Sequence, residues 1–214
     1  MKNQNPTLSN QNTLYIGRSG SGKSQALKQN PAIPKSGARV ILWDTNHDHR
    51  ATHFNDMGKF LQALKLAHIN YLKTGRGFRV AYAGDDSPAN YKKFCQAVMA
   101  CLDGRFLTFV IVEELAAVCT TVQRAEPDAA KMMNQGRKYG LVFHGTTQRP
   151  EEISKTYFTQ CEILFAGAQT SLAQQKKVAN ELGVKVADIQ ALQELEFYRR
   201  EKGRLDKIQF KYKK

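Results

Sequence analysis

Apolar runs alternate with amphipathic segments along most of this 214-residue chain. Six short runs rich in β-branched and aromatic residues have the length of strands, at residues 13–17, 38–43, 78–83, 107–112, 141–145 and 163–166. Between them, apolar residues recur at helical spacing, and one such stripe consists of Tyr91, Phe94, Cys95, Val98, Met99 and Leu102. Strands that are apolar throughout and separated by helices predict an α/β fold, with a mainly parallel sheet covered by helices on both faces.

Proline, serine and glycine residues mark several boundaries of the predicted helices. Pro88, Pro127 and Pro150 occur where helices are expected to begin, since proline fits the first turn of a helix. Ser171 is a candidate N-cap, and Gly183 follows the same predicted helix at its C-terminal end. These signals support a regular alternation of strands and helices.

The C-terminal stretch departs from this alternation. Residues 196–214 have two short strand patterns around Lys202 and Gly203, and they contain eight Lys and Arg against three acidic residues. This pattern predicts that residues 194–214 form a basic β-hairpin packed on the main domain. The polar residues 1–12 predict a flexible N-terminal tail, which leaves residues 13–193 as the main domain.

Composition indicates one globular domain with an unusual charge. The chain has 42% hydrophobic residues, and a chain of this length buries a core without disulfides or metals. Its 32 Lys and Arg against 19 Asp and Glu give a net charge of +13. Such an excess favours a polyanionic partner, either nucleic acid or an anionic membrane surface, over a basic protein with no such partner.

The cysteines and the hydropathy of the sequence indicate the cellular compartment in which we expect the protein. The four cysteines show no CxxC pair and are expected to be reduced, which fits a reducing compartment. The longest apolar run, residues 109–112, is far shorter than the roughly twenty residues of a membrane span. The polar start lacks the apolar segment of a secretory signal. The sequence therefore predicts no transmembrane helix and no signal peptide.

The segment GRSGSGKS, residues 17–24, is a full match to the phosphate-binding motif G-x-x-x-x-G-K-[ST]. It follows a predicted strand and opens a helix, the context in which backbone N–H groups surround nucleotide phosphates. In this motif Lys23 reaches the β- and γ-phosphates, and the Ser24 hydroxyl holds Mg²⁺. The predicted ATP-binding residues are Gly17, Arg18, Ser19, Gly20, Ser21, Gly22, Lys23 and Ser24. A flexible Gly-Ser turn without a ligand is the alternative.

Two adjacent carboxylates, Glu113 and Glu114, follow the fourth predicted strand. Acids at the end of a buried strand are costly to place unless a cation or a proton transfer uses them. We expect Glu113 to belong to the Mg²⁺ site and Glu114 to be the general base that activates water. A base beside a metal-binding acid favours hydrolysis over transfer to a small acceptor. The alternative is an ordinary solvated acid pair at a strand exit.

Polar and cationic residues flank the apolar run at residues 141–143. We expect this strand to lie between the acid-bearing strand and the strand before the phosphate loop. Gln148 then emerges near the γ-phosphate, where an amide holds water or senses phosphate. Arg137 lies at the opposite end of the strand, too far from its own nucleotide, and is a candidate arginine finger for a neighbouring subunit. Arg124 is a rival finger, and Arg149 is another basic contact.

Together these segments resemble a known superfamily. GRSGSGKS, VILWD, VIVEEL, GRKYG and TTQRP occur in the order and spacing of the FtsK/HerA superfamily of ring-forming, DNA-pumping P-loop ATPases. The short, single-domain form is similar to the genome-packaging ATPases of membrane-containing, double jelly-roll viruses. The resemblance covers roughly residues 13–168; its phosphate loop is generic, whereas the Gln-Arg-Pro after the strand is more specific. One departure is Glu113, where the superfamily commonly has Asp.

The resemblance implies a RecA-like fold of the ASCE class for residues 13–193, and an ATP-driven DNA translocase that uses ATP and Mg²⁺. It implies that Gln148 is a sensor, and that Arg137 acts in trans within a pentameric or hexameric ring. The expected partners are double-stranded DNA, bound through its phosphates without reading sequence, and capsid or membrane-vertex proteins. The expected location is the packaging vertex of a virion or the host cytoplasm.

Two other functions fit parts of the pattern. One is a nucleotide switch of the zonular-occludens type that organises phage assembly at a membrane, against which the lack of a membrane segment counts. The other is a small nucleotide kinase, which would need an arginine-rich lid and an acceptor pocket in place of an adjacent acid pair and a sensor glutamine.

The segment after the second strand contains Asp44 and three histidines, His47, His49 and His53. Asp44 stands where the superfamily often has an acid, and a helix cap or turn residue is an equal alternative. The histidines have no cysteine nearby, so we expect them to be solvated or to face DNA rather than to bind zinc.

Overall fold

Strands and helices alternate from Thr13 to Gln190 in the computed structural model, which describes residues 3–213. The strands are β1 (Thr13–Ile16), β2 (Arg39–Trp43), β3 (Thr52–Phe54), β4 (Phe78–Tyr82), β5 (Thr108–Val112), β6 (Leu141–Thr147), β7 (Ile163–Gly167), β8 (Glu196–Glu201) and β9 (Arg204–Gln209). The helices are α1 (Lys23–Lys28), α2 (Met57–Thr74), α3 (Pro88–Cys101), α4 (Leu115–Val118), α5 (Pro127–Gln135), α6 (Lys155–Gln160), α7 (Leu172–Leu182) and α8 (Val186–Gln190). A 3-10 turn covers Gly136–Tyr139.

One sheet joins these strands in the order β3-β4-β2-β5-β6-β1-β7-β8-β9. The seven strands from β3 to β7 in this order pair in parallel, whereas β8 pairs antiparallel with β7 and with β9. The predicted α/β fold with a mainly parallel sheet and a C-terminal hairpin is confirmed. The predicted position of β6 between β5 and β1 is also confirmed. The carboxyl ends of these three strands therefore meet at one edge of the sheet, where ligands bind in such folds.

Two apolar clusters cover the two faces of the sheet unequally. The larger cluster packs one face against α2, α3, α5 and α7, through residues such as Phe60, Phe94, Met132 and Val178. The smaller cluster contains residues of alternate strand positions together with Leu27 of α1. Within the described residues, α1 is the helix that contributes buried side chains to this second face. The phosphate loop that precedes α1 is thus fixed against the sheet by apolar burial.

Helix ends agree with most of the sequence signals. Pro88 and Pro127 occupy the first turns of α3 and α5, and Ser171 forms a capping box at the start of α7. The prediction that a helix begins at Pro150 is wrong. The Glu152 N–H donates to the Arg149 carbonyl oxygen at 3.1 Å, so Pro150 lies at the second position of a turn. Proline favours that position as strongly as a helix start, and α6 begins only after Ser154.

The edge strand β3 has no counterpart among the predicted strands. It is three residues long, and none of its residues is fully buried. It pairs with β4 beyond β2. Because it is short and half-exposed, it lacks the apolar run by which the other parallel strands are recognised.

Residues 3–12, part of the segment that the sequence predicts to be a flexible tail, make hydrogen bonds to the main domain. The Asn3 and Asn5 N–H groups donate to the carbonyl oxygens of Asp103 (3.2 Å) and Lys138 (2.8 Å). Asn12 is buried, and its side-chain oxygen accepts the Phe143 N–H at 2.9 Å. Polar side chains and the extended backbone here satisfy groups at the amino ends of the central strands, a role that composition does not reveal.

All four cysteines are free thiols. Burial raises the pKa of Cys95 and of Cys161 well above the ordinary value of a thiol, which leaves both protonated and unreactive. None of the helices between residues 3 and 213 combines the length and the apolar composition needed to traverse a bilayer.

Candidate nucleotide site

The phosphate loop, residues 17–24, connects β1 to α1 and is tied to the strands on either side. The Gly17 N–H donates to the Thr147 carbonyl oxygen (3.2 Å), and the Arg18 N–H donates to that of Ala168 (2.8 Å). These two hydrogen bonds hold the loop between the ends of β6 and β7. The loop thus occupies the middle of the carboxyl edge of the sheet.

Two glycines of the loop are required by the local geometry. Gly22 has φ 96°, a left-handed conformation, and a Cβ there would lie 2.5 Å from Leu195 Cδ2. A Cβ on Gly17 would lie 2.4 Å from the Ser21 hydroxyl oxygen. Ser21 is itself buried, and its hydroxyl has no hydrogen-bond partner among the described residues. The tight turn therefore depends on the absence of side chains at both positions.

A cavity of about 430 Å³ opens beside the loop. Eight of the predicted site residues line it, namely Ser19, Gly20, Gly22, Lys23, Ser24, Glu113, Glu114 and Gln148. They come from three separate segments that are brought together by the sheet order β5-β6-β1. This volume lies in the range of small-molecule sites in proteins.

Lys23 is the first residue of α1, and its ammonium lies among carboxylates. Its Nζ donates to the Arg18 carbonyl oxygen at 3.0 Å. Burial lowers the pKa of Lys23 below its ordinary value, while the nearby Glu114 and Glu113 carboxylates oppose this shift. The ammonium is thus held at the mouth of the loop, where it can reach an anionic ligand.

Glu113 is buried directly after β5, and both of its carboxylate oxygens have partners. His49 Nε2 lies 2.6 Å from Oε1, and the Thr146 hydroxyl donates to Oε2 at 2.5 Å. A carboxylate oxygen carries two lone pairs, so each oxygen keeps one acceptor site after these contacts. The side chain is therefore held in one orientation without losing its capacity to bind a cation.

Glu114 has a strained backbone that directs its carboxylate toward β6. Its φ is 50°, in the left-handed region that non-glycine residues rarely adopt. Its N–H donates to the Thr146 hydroxyl oxygen at 3.1 Å, and its Oε1 lies 3.4 Å from both the Thr147 hydroxyl and the Gln148 backbone N–H. Thr146 thus links the two acids, because its hydroxyl donates to one and accepts from the backbone of the other.

The candidate arginines lie outside this cavity. Arg137, on the 3-10 turn before β6, donates to the carbonyl oxygens of Pro6 (3.1 Å) and Leu8 in the N-terminal segment. Arg124 is exposed in the loop before α5, and Arg149 pairs with Glu152 at 2.9 Å. Arg137 is therefore at the end of β6 remote from the phosphate loop, as the sequence predicts.

In the segment after β2, His47 is exposed as expected, whereas the interpretation of His49 and His53 as solvated or DNA-facing groups is wrong, because both rings contact acidic side chains. Asp44 is fully buried and accepts the backbone N–H of Asp48 (2.8 Å) and of His49 (3.0 Å), as well as His53 Nε2 (2.8 Å). Asp44 therefore organises the turn that places His49 against Glu113. Burial, followed by the Glu113 and Asp44 carboxylates, raises the pKa of Asp48 above its ordinary value.

Sequence reasoning did not assign Thr146, His49 or Tyr212 to this site. Thr146 precedes Gln148 by two residues in the same polar run. Residues at this spacing on a strand lie on the same face, and this signal could have placed Thr146 in the site with Gln148. His49 and Tyr212 also belong to the site, but their segments carry no motif. Their contacts depend on which strands become neighbours.

The residues present fit a magnesium–nucleotide complex. Ser24 and Glu113 offer a hydroxyl and a carboxylate on one cavity wall, and hard oxygen ligands of this kind suit Mg²⁺. The glycine-rich loop leaves backbone space for phosphates, and Lys23 supplies a cation beside it.

This loop between a central parallel strand and a helix, with an acid pair on the next strand but one, defines the fold of a P-loop NTPase. The chain belongs to the family of Protein P9 from Pseudoalteromonas phage PM2. The two are 34% identical over 191 residues, which cover 89% of this chain and 83% of that protein. No protein-family model matches the chain.

Solved structures of low sequence identity share the fold. The genome packaging NTPase B204 of Sulfolobus turreted icosahedral virus 2, in complex with AMPPCP, superposes with a TM-score of 0.75 at 14% identity, over 95% of this chain and 99% of that chain. VirB4 of Thermoanaerobacter pseudethanolicus superposes with a TM-score of 0.62 at 11% identity, over 94% of this chain and 89% of that chain.

Proposed function

We propose that the protein is an ATPase that moves double-stranded DNA into a viral capsid. The observation that carries this proposal is the convergence of Lys23, Ser24, Glu113, Glu114 and Gln148 on one cavity at the carboxyl edge of the sheet. Membership of the family of Protein P9 and a fold similar to that of a genome packaging NTPase support the same function.

Each of these five residues has a defined task in hydrolysis. The loop N–H groups and the Lys23 ammonium bind the phosphates, and Ser24 and Glu113 hold Mg²⁺. When bound, Mg²⁺ neutralises charge on the phosphate oxygens. Glu114 accepts a proton from the attacking water, and the Gln148 amide orients that water. Thr146 fixes the position of Glu114 relative to Glu113, because its hydroxyl contacts both residues.

Ring assembly would complete the site with an arginine from a neighbouring subunit. Arg137 is the first candidate, because it lies at the end of β6 remote from its own loop. To act in trans, Arg137 would have to leave the Pro6 and Leu8 carbonyls, at the cost of two hydrogen bonds. Arg124, which is exposed and has no such contact among the described residues, is the second candidate.

The net charge of +13 is suited to the DNA phosphates, with contacts that do not read sequence. The partners that fit this role are double-stranded DNA, other copies of the chain in a pentameric or hexameric ring, and capsid or membrane-vertex proteins. The corresponding locations are the packaging vertex of a virion and the host cytoplasm.

ATP hydrolysis measured with and without double-stranded DNA tests the proposal. Wild-type protein should hydrolyse ATP faster when DNA is present. Lys23→Ala should lose both nucleotide binding and turnover, whereas Glu114→Gln should bind ATP and lose turnover by roughly 10²- to 10⁴-fold, because only the base is removed.

Glu181→Gln is the matched control for Glu114→Gln. Glu181 pairs with Lys177 on α7 and does not line the cavity, so this variant should keep wild-type turnover. Full turnover in both Lys23→Ala and Glu114→Gln would exclude this cavity as the hydrolytic site.

A further inference from the structure

The nucleotide cavity has a second wall that phosphate binding does not use. In the sheet order β5-β6-β1-β7-β8, the acids and Gln148 follow strands on one side of β1. Leu195, which precedes β8, and Tyr212, which follows β9, line the same cavity from the other side. If the γ-phosphate points toward Glu114, the rest of a nucleotide extends toward this second wall.

Residues 210–213, here named the C-terminal strap, are held against the phosphate loop and α1. The Leu195 N–H donates to the Ser21 carbonyl oxygen at 3.0 Å, and the Phe210 N–H donates to the Leu195 carbonyl oxygen at 2.9 Å. Leu195 thus connects the backbone that follows β9 to the backbone of the phosphate loop. Leu195 has φ 64°, and its side chain lies close enough to Gly22 to exclude a Cβ there.

Two glutamines of the first helix and its end hold the residues on both sides of Tyr212. Gln29 Nε2 donates to the Lys211 carbonyl oxygen at 2.7 Å. Gln25 Nε2 donates to the Lys213 carbonyl oxygen at 3.0 Å, and the Lys213 N–H donates back to Gln25 Oε1 at 3.1 Å. The backbone around Tyr212 is therefore fixed, although the residue itself is 71% exposed.

An anchored and exposed aromatic ring at the edge of a polar cavity is suited to one class of ligand. Every nucleobase offers a flat π-face, and a tyrosine ring stacks on such a face without requiring particular hydrogen bonds. Among the residues of the described chain that line this cavity, Tyr212 is the aromatic one. Leu195 lines the same cavity and adds apolar surface beside Gly22 of the loop.

We propose that Tyr212 and Leu195 form the nucleobase subsite of this cavity, with the Tyr212 ring stacked on the purine of the bound nucleotide. This inference rests on the proposed function, in which the cavity binds ATP. Because stacking tolerates different bases, the subsite binds ATP and GTP with similar affinity. The strap also makes base binding depend on Gln25 and Gln29, which hold it in place.

Calorimetric titration with ATP and with inorganic tripolyphosphate, both with Mg²⁺, tests this subsite. Tripolyphosphate occupies the phosphate loop but has no base. Tyr212→Ala should weaken ATP binding roughly five- to ten-fold and leave tripolyphosphate binding unchanged. Tyr212→Phe keeps the ring and should bind ATP as the wild-type protein does. Gln29→Ala, which releases Lys211, should weaken ATP binding less than Tyr212→Ala, again with no effect on tripolyphosphate.

Leu205→Ala is the matched control, since Leu205 is exposed on β9 and does not line the cavity. It should bind both ligands normally. Equal ATP affinity in Tyr212→Ala and wild-type protein would overturn the subsite, as would an equal loss of ATP and tripolyphosphate binding. Wild-type protein that binds neither ligand would overturn both the proposed function and the subsite. If wild-type protein binds both ligands, the proposed function stands and the Tyr212→Ala result decides whether the subsite exists.

Discussion

Glu113 carries one methylene more than the aspartate that commonly occupies its position, and the structure holds the longer side chain at two points. His49 contacts one carboxylate oxygen and Thr146 the other. In the proposed Mg²⁺ site, partners of this kind would orient Glu113 as a ligand and set the metal affinity. His49 is therefore a positioning residue for Glu113, placed there by the turn that Asp44 organises.

Substitution of His49 tests this role. His49→Ala should raise the Mg²⁺ concentration needed for half-maximal ATP hydrolysis roughly ten-fold, because Glu113 loses one of its two anchors. ATP binding without Mg²⁺, measured by calorimetry, should not change. His49→Gln retains an N–H donor and should recover part of the Mg²⁺ affinity.

His47→Ala is the control for this variant, since His47 is exposed and its ring lies against His53 and not against Glu113. Its Mg²⁺ dependence should stay near that of the wild-type protein. The same Mg²⁺ dependence in His49→Ala and wild-type protein would remove His49 from the site.

At the scale of elements, the C-terminal hairpin is less available to DNA than its composition indicates. Its three acids pair with three of its own cations, in the pairs Arg199 with Glu201, Arg204 with Asp206 and Lys207 with Glu196. Arg200 donates to the Glu181 carbonyl oxygen on α7. Within the described residues, the exposed Lys202 at the hairpin tip has no ion pair. The excess charge is thus concentrated at the tip and in the strap.

A salt titration of DNA affinity tests whether the tip contacts phosphates. Lys202→Gln should reduce the slope of log affinity against log salt concentration by about one, since each phosphate contact releases roughly one counterion. The double variant Glu196→Gln/Lys207→Gln removes an internal pair and keeps the net charge, so its slope should match the wild-type value. An unchanged slope in Lys202→Gln would place the DNA contacts elsewhere on the surface.

For the whole molecule, the site is incomplete if an arginine must come from a second copy. If Glu114 of one subunit and an arginine of the next act on the same nucleotide, two inactive variants that each lack one of these residues should complement each other. Mixing Arg137→Ala with Glu114→Gln should give more ATP hydrolysis than either alone, because some interfaces then combine an intact Glu114 with an intact Arg137. Hydrolysis rates at a constant total protein concentration measure this recovery.

Two further mixtures serve as controls for the arginine. Lys23→Ala with Glu114→Gln should show no recovery, since both residues line the same cavity and every interface keeps a defective site. Arg124→Ala with Glu114→Gln tests the second candidate in the same way. Recovery of ATP hydrolysis with Arg124→Ala and none with Arg137→Ala would identify Arg124, and not Arg137, as the arginine finger.

Much of the fold follows from local patterns in the chain. Continuous apolar strands separated by amphipathic helices specify a buried parallel sheet, because such strands must be covered on both faces. The phosphate loop and the acid pair could also be predicted from the sequence, since each is a short segment whose chemistry requires its residue types. The misplaced helix start at Pro150 and the unrecognised β3 are cases in which a local signal is ambiguous or weak.

The sequence by itself determined the strands other than β3, most helix ends, the phosphate loop and the identity of the two acids, because periodicity, capping and short motifs act over a few neighbouring residues. Only the tertiary structure decided that His49 and Thr146 hold Glu113, that the N-terminal segment binds Arg137, and that Tyr212 lies at the nucleotide cavity. These contacts join segments far apart in the chain. They exist because sheet order makes distant strands neighbours, and strand order is not encoded in any single segment.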